Sequence, residues 1–164
     1  MLGFNQGFIG YKPNSQLNFS GGDTEDLYNI NLKSQPIDWY YRHNPITYSH
    51  NNYGHRSKSI EYLDLNNYIL CVGCSHTEGI GNYEQDTYPY QVSQQLNCDY
   101  YNMGLGGCGV DIMIHNLITW MACIKQLPKL LVWQWPDPVR YVTVEESTPP
   151  LVVTHGLWEH KREV

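Results

Sequence analysis

Charge is scarce in this sequence. Of 164 residues only 16% are charged, the balance is −6, and lysine and arginine form no cluster. Binding a phosphate backbone rests on a basic face that releases counterions, so the composition argues against nucleic acid as a partner. Long apolar runs are missing too. None approaches the roughly 20 residues of a membrane span. The start, Met1-Leu2-Gly3-Phe4-Asn5-Gln6, has no basic segment ahead of an apolar one. The five cysteines are an odd number without an export signal and read as reduced thiols. These absences predict a soluble, cytoplasmic protein with no membrane partner. Zinc-type Cys/His spacing is also lacking, so His43, His50 and His55 read as scattered surface histidines, and no metal or cofactor is expected.

What the chain does have is aromatic side chains, 14 Tyr and 5 Trp. Rings with a polar edge suit surfaces that stay half wet, such as interfaces and sugar-binding grooves. With so little charge they also argue against disorder. The length predicts one domain with a real core. Residues 1–60 show no strand–helix rhythm and read as an extension packed on a domain of residues 61–164. In the extension, Ser20-Gly21-Gly22 is a turn and Asp23 or Thr24 caps a short helix reaching Leu32. Trp39-Tyr40-Tyr41-Arg42 and Ile46-Thr47-Tyr48 are β-prone.

From Tyr68 the rhythm changes. Residues 68–72 form a short apolar run that reads as a buried strand. Residues 87–96 read as a helix, with Pro89 in its first turn and Tyr88, Val92 and Leu96 on one face. Residues 98–103 are a second strand. Asp111 then opens a helix whose apolar stripe is Ile114, Leu117, Ile118, Met121 and Ile124, and Pro128 stops it. Residues 129–135 are a third, strongly apolar strand; residues 141–144 and 151–154 are weaker candidates. The alternation calls for parallel strands joined by right-handed crossovers. The expected fold is α/β: a three-layer, flavodoxin-like domain with a short parallel sheet.

Three strand ends carry glycine or polar residues on one edge: Gly73-Cys74-Ser75, Gly104 to Gly109, and Gln134-Trp135-Pro136-Asp137. Ligands of open α/β sheets bind at that edge. Ser75 there is a candidate nucleophile, or else an ordinary helix cap. Cys71-Val72-Gly73-Cys74 has the spacing of a thioredoxin-like pair, but Cys71 lies inside the strand, where a thiol is inert. The 104–109 loop opens a helix, as phosphate loops do, yet it lacks their Lys-Ser/Thr pair and the dinucleotide spacing. Asp137 and Arg140 fit a surface pair of little energetic weight.

Four blocks taken in order carry a family likeness. Asn52-x-Gly54-x-Arg56, Gly73-Cys74-Ser75-His76-Thr77-Glu78-Gly79, Asp86-Thr87-Tyr88-Pro89 and Asn102-x-Gly104-x-Gly106-Gly107 together resemble the SGNH hydrolases (GDSL esterases) over residues 50–140. The resemblance implies that Ser75 attacks an acyl carbonyl and that the backbone N–H groups of Ser75 and Gly107 receive the oxyanion. Asn102 is then a structural support, with His76 and Asp137 lining the site. The chain departs from the family in three places. Cys74 stands where an aspartate is usual, and Trp135-Pro136-Asp137 stands where an asparagine donor is usual. The Asp-x-x-His near the end is missing, since Val152 precedes His155 and Leu157 precedes His160 at that spacing. A serine without a base is a weak nucleophile, and His155 and His160 are the candidate bases. The resemblance implies hydrolysis of a small acyl ester, carbohydrate O-acetyl among them, through an acyl-serine and without metal. The other reading is a catalytically silent domain that binds or builds, in a homo-oligomer or a larger assembly such as a phage particle.

Overall fold

The computed structural model describes residues 2–146 and 151–156. The chain opens with a hairpin, β1 (Leu2–Asn5) and β2 (Phe8–Gly10), turned through Gln6 and Gly7, both at positive φ. That pair of left-handed residues is what a tight two-residue hairpin needs. β3 (Gln16–Leu17) pairs antiparallel with β4 (Tyr48–Ser49). Between them lies α1 (Glu25–Ser34), capped as the sequence predicts: Thr24 Oγ1 accepts the Leu27 N–H at 3.3 Å. Glu25 and Asp26 in its first turn and Lys33 in its last suit the helix dipole.

The β-prone segment Trp39–Arg42 is not a strand. It forms a 3₁₀ turn at Tyr40–Arg42. Arg42 Nη2 donates to the carbonyls of Leu32 and Gln35 at 2.7 and 3.1 Å, closing the carbonyl end of α1. Charge-assisted bonds of this kind outweigh a β propensity worth well under 1 kcal/mol per residue.

The second half is a mixed α/β arrangement around a small parallel sheet. β5 (Tyr68–Val72) leads into a one-turn helix, α2 (Ser75–Glu78), then α3 (Tyr88–Leu96), β6 (Asp99–Asn102), α4 (Val110–Cys123) and β7 (Leu130–Trp133). The sheet order is β6-β5-β7, with all pairs parallel. Flanked on both sides, β5 is fully buried, every residue within 1% exposure. Burying Ile69, Leu70 and Val72 contributes about 1.5–3 kcal/mol each. β7 is as apolar but lies at an edge, and Leu130 and Leu131 remain 42% exposed.

β8 (Tyr141–Glu145) and β9 (Leu151–His155) form an antiparallel pair, and β9 also pairs with β1, giving a second sheet in the order β2-β1-β9-β8. β1 and β9 therefore meet, with Leu2 opposite Val152. Leu2, Phe8 and Ile9 share one core with Leu70, Tyr101, Ile112, Trp120 and Val152.

Two helix faces differ from expectation. α4 buries Ile112, Met113, Asn116 and Trp120, while Ile114, Ile118 and Met121 of the expected stripe are exposed. The cause is Asn116. Its Oδ1 accepts the Ile9 N–H and its Nδ2 donates to the Ile9 carbonyl, each at 2.8 Å, so a polar residue faces inward to clamp β2. In α3 the buried residues are Pro89 and Ser93; the Ser93 hydroxyl is satisfied by the Tyr90 carbonyl at 2.7 Å.

The histidines also correct the reading. His43 is exposed, but His50 and His55 are buried. His55 Nδ1 lies 3.0 Å from the Tyr101 hydroxyl and its Nε2 lies 3.2 Å from the Ile9 carbonyl. The network assigns Nε2 as donor and Nδ1 as acceptor, and burial holds the imidazole down to about 4. Among the described residues no three His, Cys, Asp or Glu side chains gather to hold a metal. No helix among them is long and apolar enough to cross a membrane.

Candidate functional site

The C-terminal edge of the parallel sheet brings the three predicted turns together. The loop after β6 is laid against the turn after β5: the Met103 N–H reaches the Cys71 carbonyl at 2.8 Å, and the Leu105 N–H reaches the Gly73 carbonyl at 3.1 Å. Asn102 locks them. Its Nδ2 donates to the Thr77 carbonyl and its Oδ1 accepts from the Gly104 N–H, both at 2.8 Å. Both ends of the amide are engaged, so Asn102 is a structural bracket. Gly104 is required by contact, because a Cβ there would lie 2.3 Å from the Glu78 nitrogen.

Ser75 starts α2 and is half-buried. Among the described residues the side-chain atom within reach of its Oγ is Cys74 Sγ, at 4.0 Å, a weak acceptor. Gly107 has φ +76, a conformation that favours glycine. Among the described residues, neither the Ser75 N–H nor the Gly107 N–H finds an acceptor. An N–H at the start of a helix has no intrahelical partner, and donors left open in this way are the groups an oxyanion would use.

The third strand end gives Gln134 a role that the sequence did not assign to it. Gln134, directly after β7, turns its Oε1 to the Cys74 N–H at 3.1 Å, with Cys74 Sγ at 3.2 Å and the Thr77 hydroxyl at 3.3 Å. Its Nε2 donates to the Trp135 carbonyl. Gln134 thus braces the turn that carries Ser75. Its signal was a polar residue ending an apolar run. Asp137 is exposed and shapes its own turn, accepting the Val139 N–H at 3.2 Å. His76 is exposed.

Glu78 is the other residue missed, and it is fully buried. Ser75-x-x-Glu78 has the spacing of a capping box, yet its carboxylate does not turn back to the helix start. It takes the Gly106 N–H, the Tyr11 hydroxyl at 3.1 Å and the Ser20 hydroxyl at 3.4 Å, with His50 Nε2 at 4.0 Å. Burial, and next the charge of Glu78, push the Tyr11 phenol well above its ordinary range, so Tyr11 stays a donor. Behind it, Arg56 is buried and donates to the carbonyls of Glu78, Gly79 and Asn82 at 3.2, 2.8 and 2.9 Å. Its guanidinium also covers the Tyr48 ring at 4.6 Å. The turn that carries Ser75 is thus fixed twice, by its own buried Glu78 carboxylate tied to the 104–107 loop and by the buried Arg56 guanidinium.

Of the predicted bases, His155 lies on β9. Its neighbour Thr154 approaches Gly107, 3.4 Å from where a Cβ would stand. Side chains alternate along a strand, which turns His155 to the other face. There it lies 2.9 Å from the Thr143 hydroxyl and stacks on Tyr141 at 4.9 Å. His160 lies outside the described residues. The redox reading of Cys71 and Cys74 loses support, because burial pushes the Cys71 thiol up to about 12, and all five cysteines are free.

No family model matches this chain, and no curated protein or solved structure matches it either.

Proposed function

We propose that the chain is a serine esterase of SGNH type, built on a three-layer flavodoxin-like plan, acting on a small acyl ester such as an O-acetylated carbohydrate. The observation that carries the reading is at the sheet edge: Ser75 stands there with its own N–H and that of Gly107 both without an acceptor among the described residues. Ser75 Oγ attacks the acyl carbon and gives its proton to a base. The two N–H groups receive the oxyanion, and the ester C–O bond breaks, releasing the alcohol with the proton. Water then cleaves the acyl-serine to the carboxylic acid. With the His155 ring held by Thr143 and Tyr141, the reading assigns the base to His160. Neither cofactor nor metal enters the proposed reaction.

One observation favours a second reading, a silent domain that binds or builds, in the cytoplasm or in an assembly such as a phage particle. The residue before Ser75, where the family it resembles usually has an aspartate, is Cys74, and its N–H and thiol are both turned to Gln134. A fluorophosphonate probe read by intact mass and peptide mapping separates the two. A single adduct on Ser75, lost in Ser75→Ala and slowed in His160→Ala, supports the esterase. Folded protein without an adduct supports the silent domain.

A further inference from the structure

A second concavity lies away from Ser75, in the amino-terminal part. It has a volume of about 190 Å³, and its walls include Phe19, Tyr28, Trp39 and Tyr41, with Asp23 and Asn31 among them. The rings follow one another as a continuous curved wall. Phe19–Tyr28, Tyr28–Trp39 and Trp39–Tyr41 centroids lie 5.9, 5.8 and 5.6 Å apart, inclined at 51°, 39° and 50°. The wall is braced from behind. Tyr41 stacks on Tyr83 at 5.4 Å and 9°, and the Tyr28 hydroxyl donates to the Tyr41 carbonyl at 3.1 Å.

The polar groups are set as firmly. Asp23 Oδ2 accepts from the Tyr48 hydroxyl at 2.6 Å, which in turn accepts the Gly81 N–H at 2.9 Å. Among the described residues neither the other Asp23 oxygen nor the Asn31 amide takes a hydrogen bond. Among the described residues no lysine or arginine lines the cavity.

We infer that this cavity is a binding site for one neutral pyranose ring of a saccharide. The aromatic wall takes the apolar face of the ring, while the Asp23 carboxylate and the Asn31 amide take its hydroxyls. An acidic group without a basic one rejects uronate and sulfated sugars. The volume lies below the roughly 300–1,000 Å³ of sites for drug-sized ligands, which fits one ring with the rest of a chain in solvent. An aromatic wall with one acid also suits a quaternary ammonium, but such a cage has no use for the Asn31 amide. The inference does not rest on Ser75 chemistry.

The test uses the full chain and four probes: cellotriose, chitotriose, trigalacturonic acid and choline, each titrated to about 10 mM, a range that detects millimolar binding. Saturation-transfer NMR and tryptophan fluorescence are the readouts. At least one neutral trisaccharide is expected to bind, at least tenfold more weakly in Trp39→Ala, and more weakly in Asn31→Ala, a mild surface change that keeps the fold. Ser75→Ala leaves the affinity unchanged. Binding of neither neutral sugar overturns the inference, as does preference for choline or the acidic sugar, or full affinity in Asn31→Ala and Trp39→Ala together. A labelled Ser75 without sugar binding sinks the pocket alone; sugar binding with an unlabelled serine leaves the pocket and sinks the esterase.

Discussion

Two aromatic clusters in this chain are made from the same residue types and have opposite fates. Trp120, Tyr101, Tyr68 and Phe8 are fully buried around α4 and β5. Their polar tips are paired inward: Trp120 Nε1 with the Tyr68 hydroxyl at 3.2 Å, and the Tyr101 hydroxyl with Asn51 at 3.1 Å. Phe19, Tyr28, Trp39 and Tyr41 are only half-buried and wall a cavity open to solvent. A ring contributes stability when both faces and its polar tip are covered, and a binding surface when one face stays open. Composition records the rings; their neighbours decide the role.

The comparison is sharpest in the stability of paired variants, measured by denaturant unfolding. Trp120→Ala is expected to cost about 3–5 kcal/mol. Glu78→Ala belongs with it, at about 3–5 kcal/mol, because it leaves the Gly106 N–H and the Tyr11 and Ser20 hydroxyls without their buried acceptor. Losses under 1 kcal/mol at both sites would show that the buried cluster is no more critical than the open one.

Next in size is a pH effect confined to the buried cluster. The folded His55 titrates at about 4 against an ordinary 6.5, because burial disfavours its charged form. Between those values the unfolded chain binds a proton that the folded chain refuses. Stability is therefore complete above about pH 6.5 and is lost as pH falls towards 4. At 1.36 kcal/mol per pKa unit the loss reaches about 3 kcal/mol. Unfolding midpoints from pH 7 to 4 measure it, and His55→Gln should flatten the slope.

Smaller still is Trp39→Ala in the open cluster, expected to cost about 1 kcal/mol while weakening the proposed sugar binding at least tenfold. A cost matching Trp120→Ala would erase the distinction between the clusters. The smallest effect is Ser75→Ala, within about 0.5 kcal/mol, with loss of fluorophosphonate labelling as its readout.

Much of the element order could be read locally. The run at 68–72, the Thr24 cap and the stop at Pro128 act over a few residues, so periodicity and capping rules find them. The inward face of α4 could not be read. The apolar stripe at Ile114, Ile118 and Met121 outscored Asn116, whose partner Ile9 lies 107 residues away. Glu78 was hidden for the same reason, since an acid in a first turn looks like a cap until the 104–107 loop is folded over it. At the candidate site, the serine, the glycine loop and Asn102 were legible as a motif. Gln134 was not, because its function exists only once β7 lies beside β5.

The sequence by itself determined that an apolar strand ends in a glycine–cysteine–serine turn, that glycines follow the next strand, and that the chain carries rings in place of charge. These are local matters of propensity and composition. Tertiary structure alone decided that Glu78 and Arg56 hold the Ser75 turn from behind, that His155 faces Tyr141 and Thr143, and that one set of rings closes into a core while another walls a cavity. Burial and hydrogen-bond satisfaction belong to pairs of distant residues, and a single residue's identity does not specify its partner.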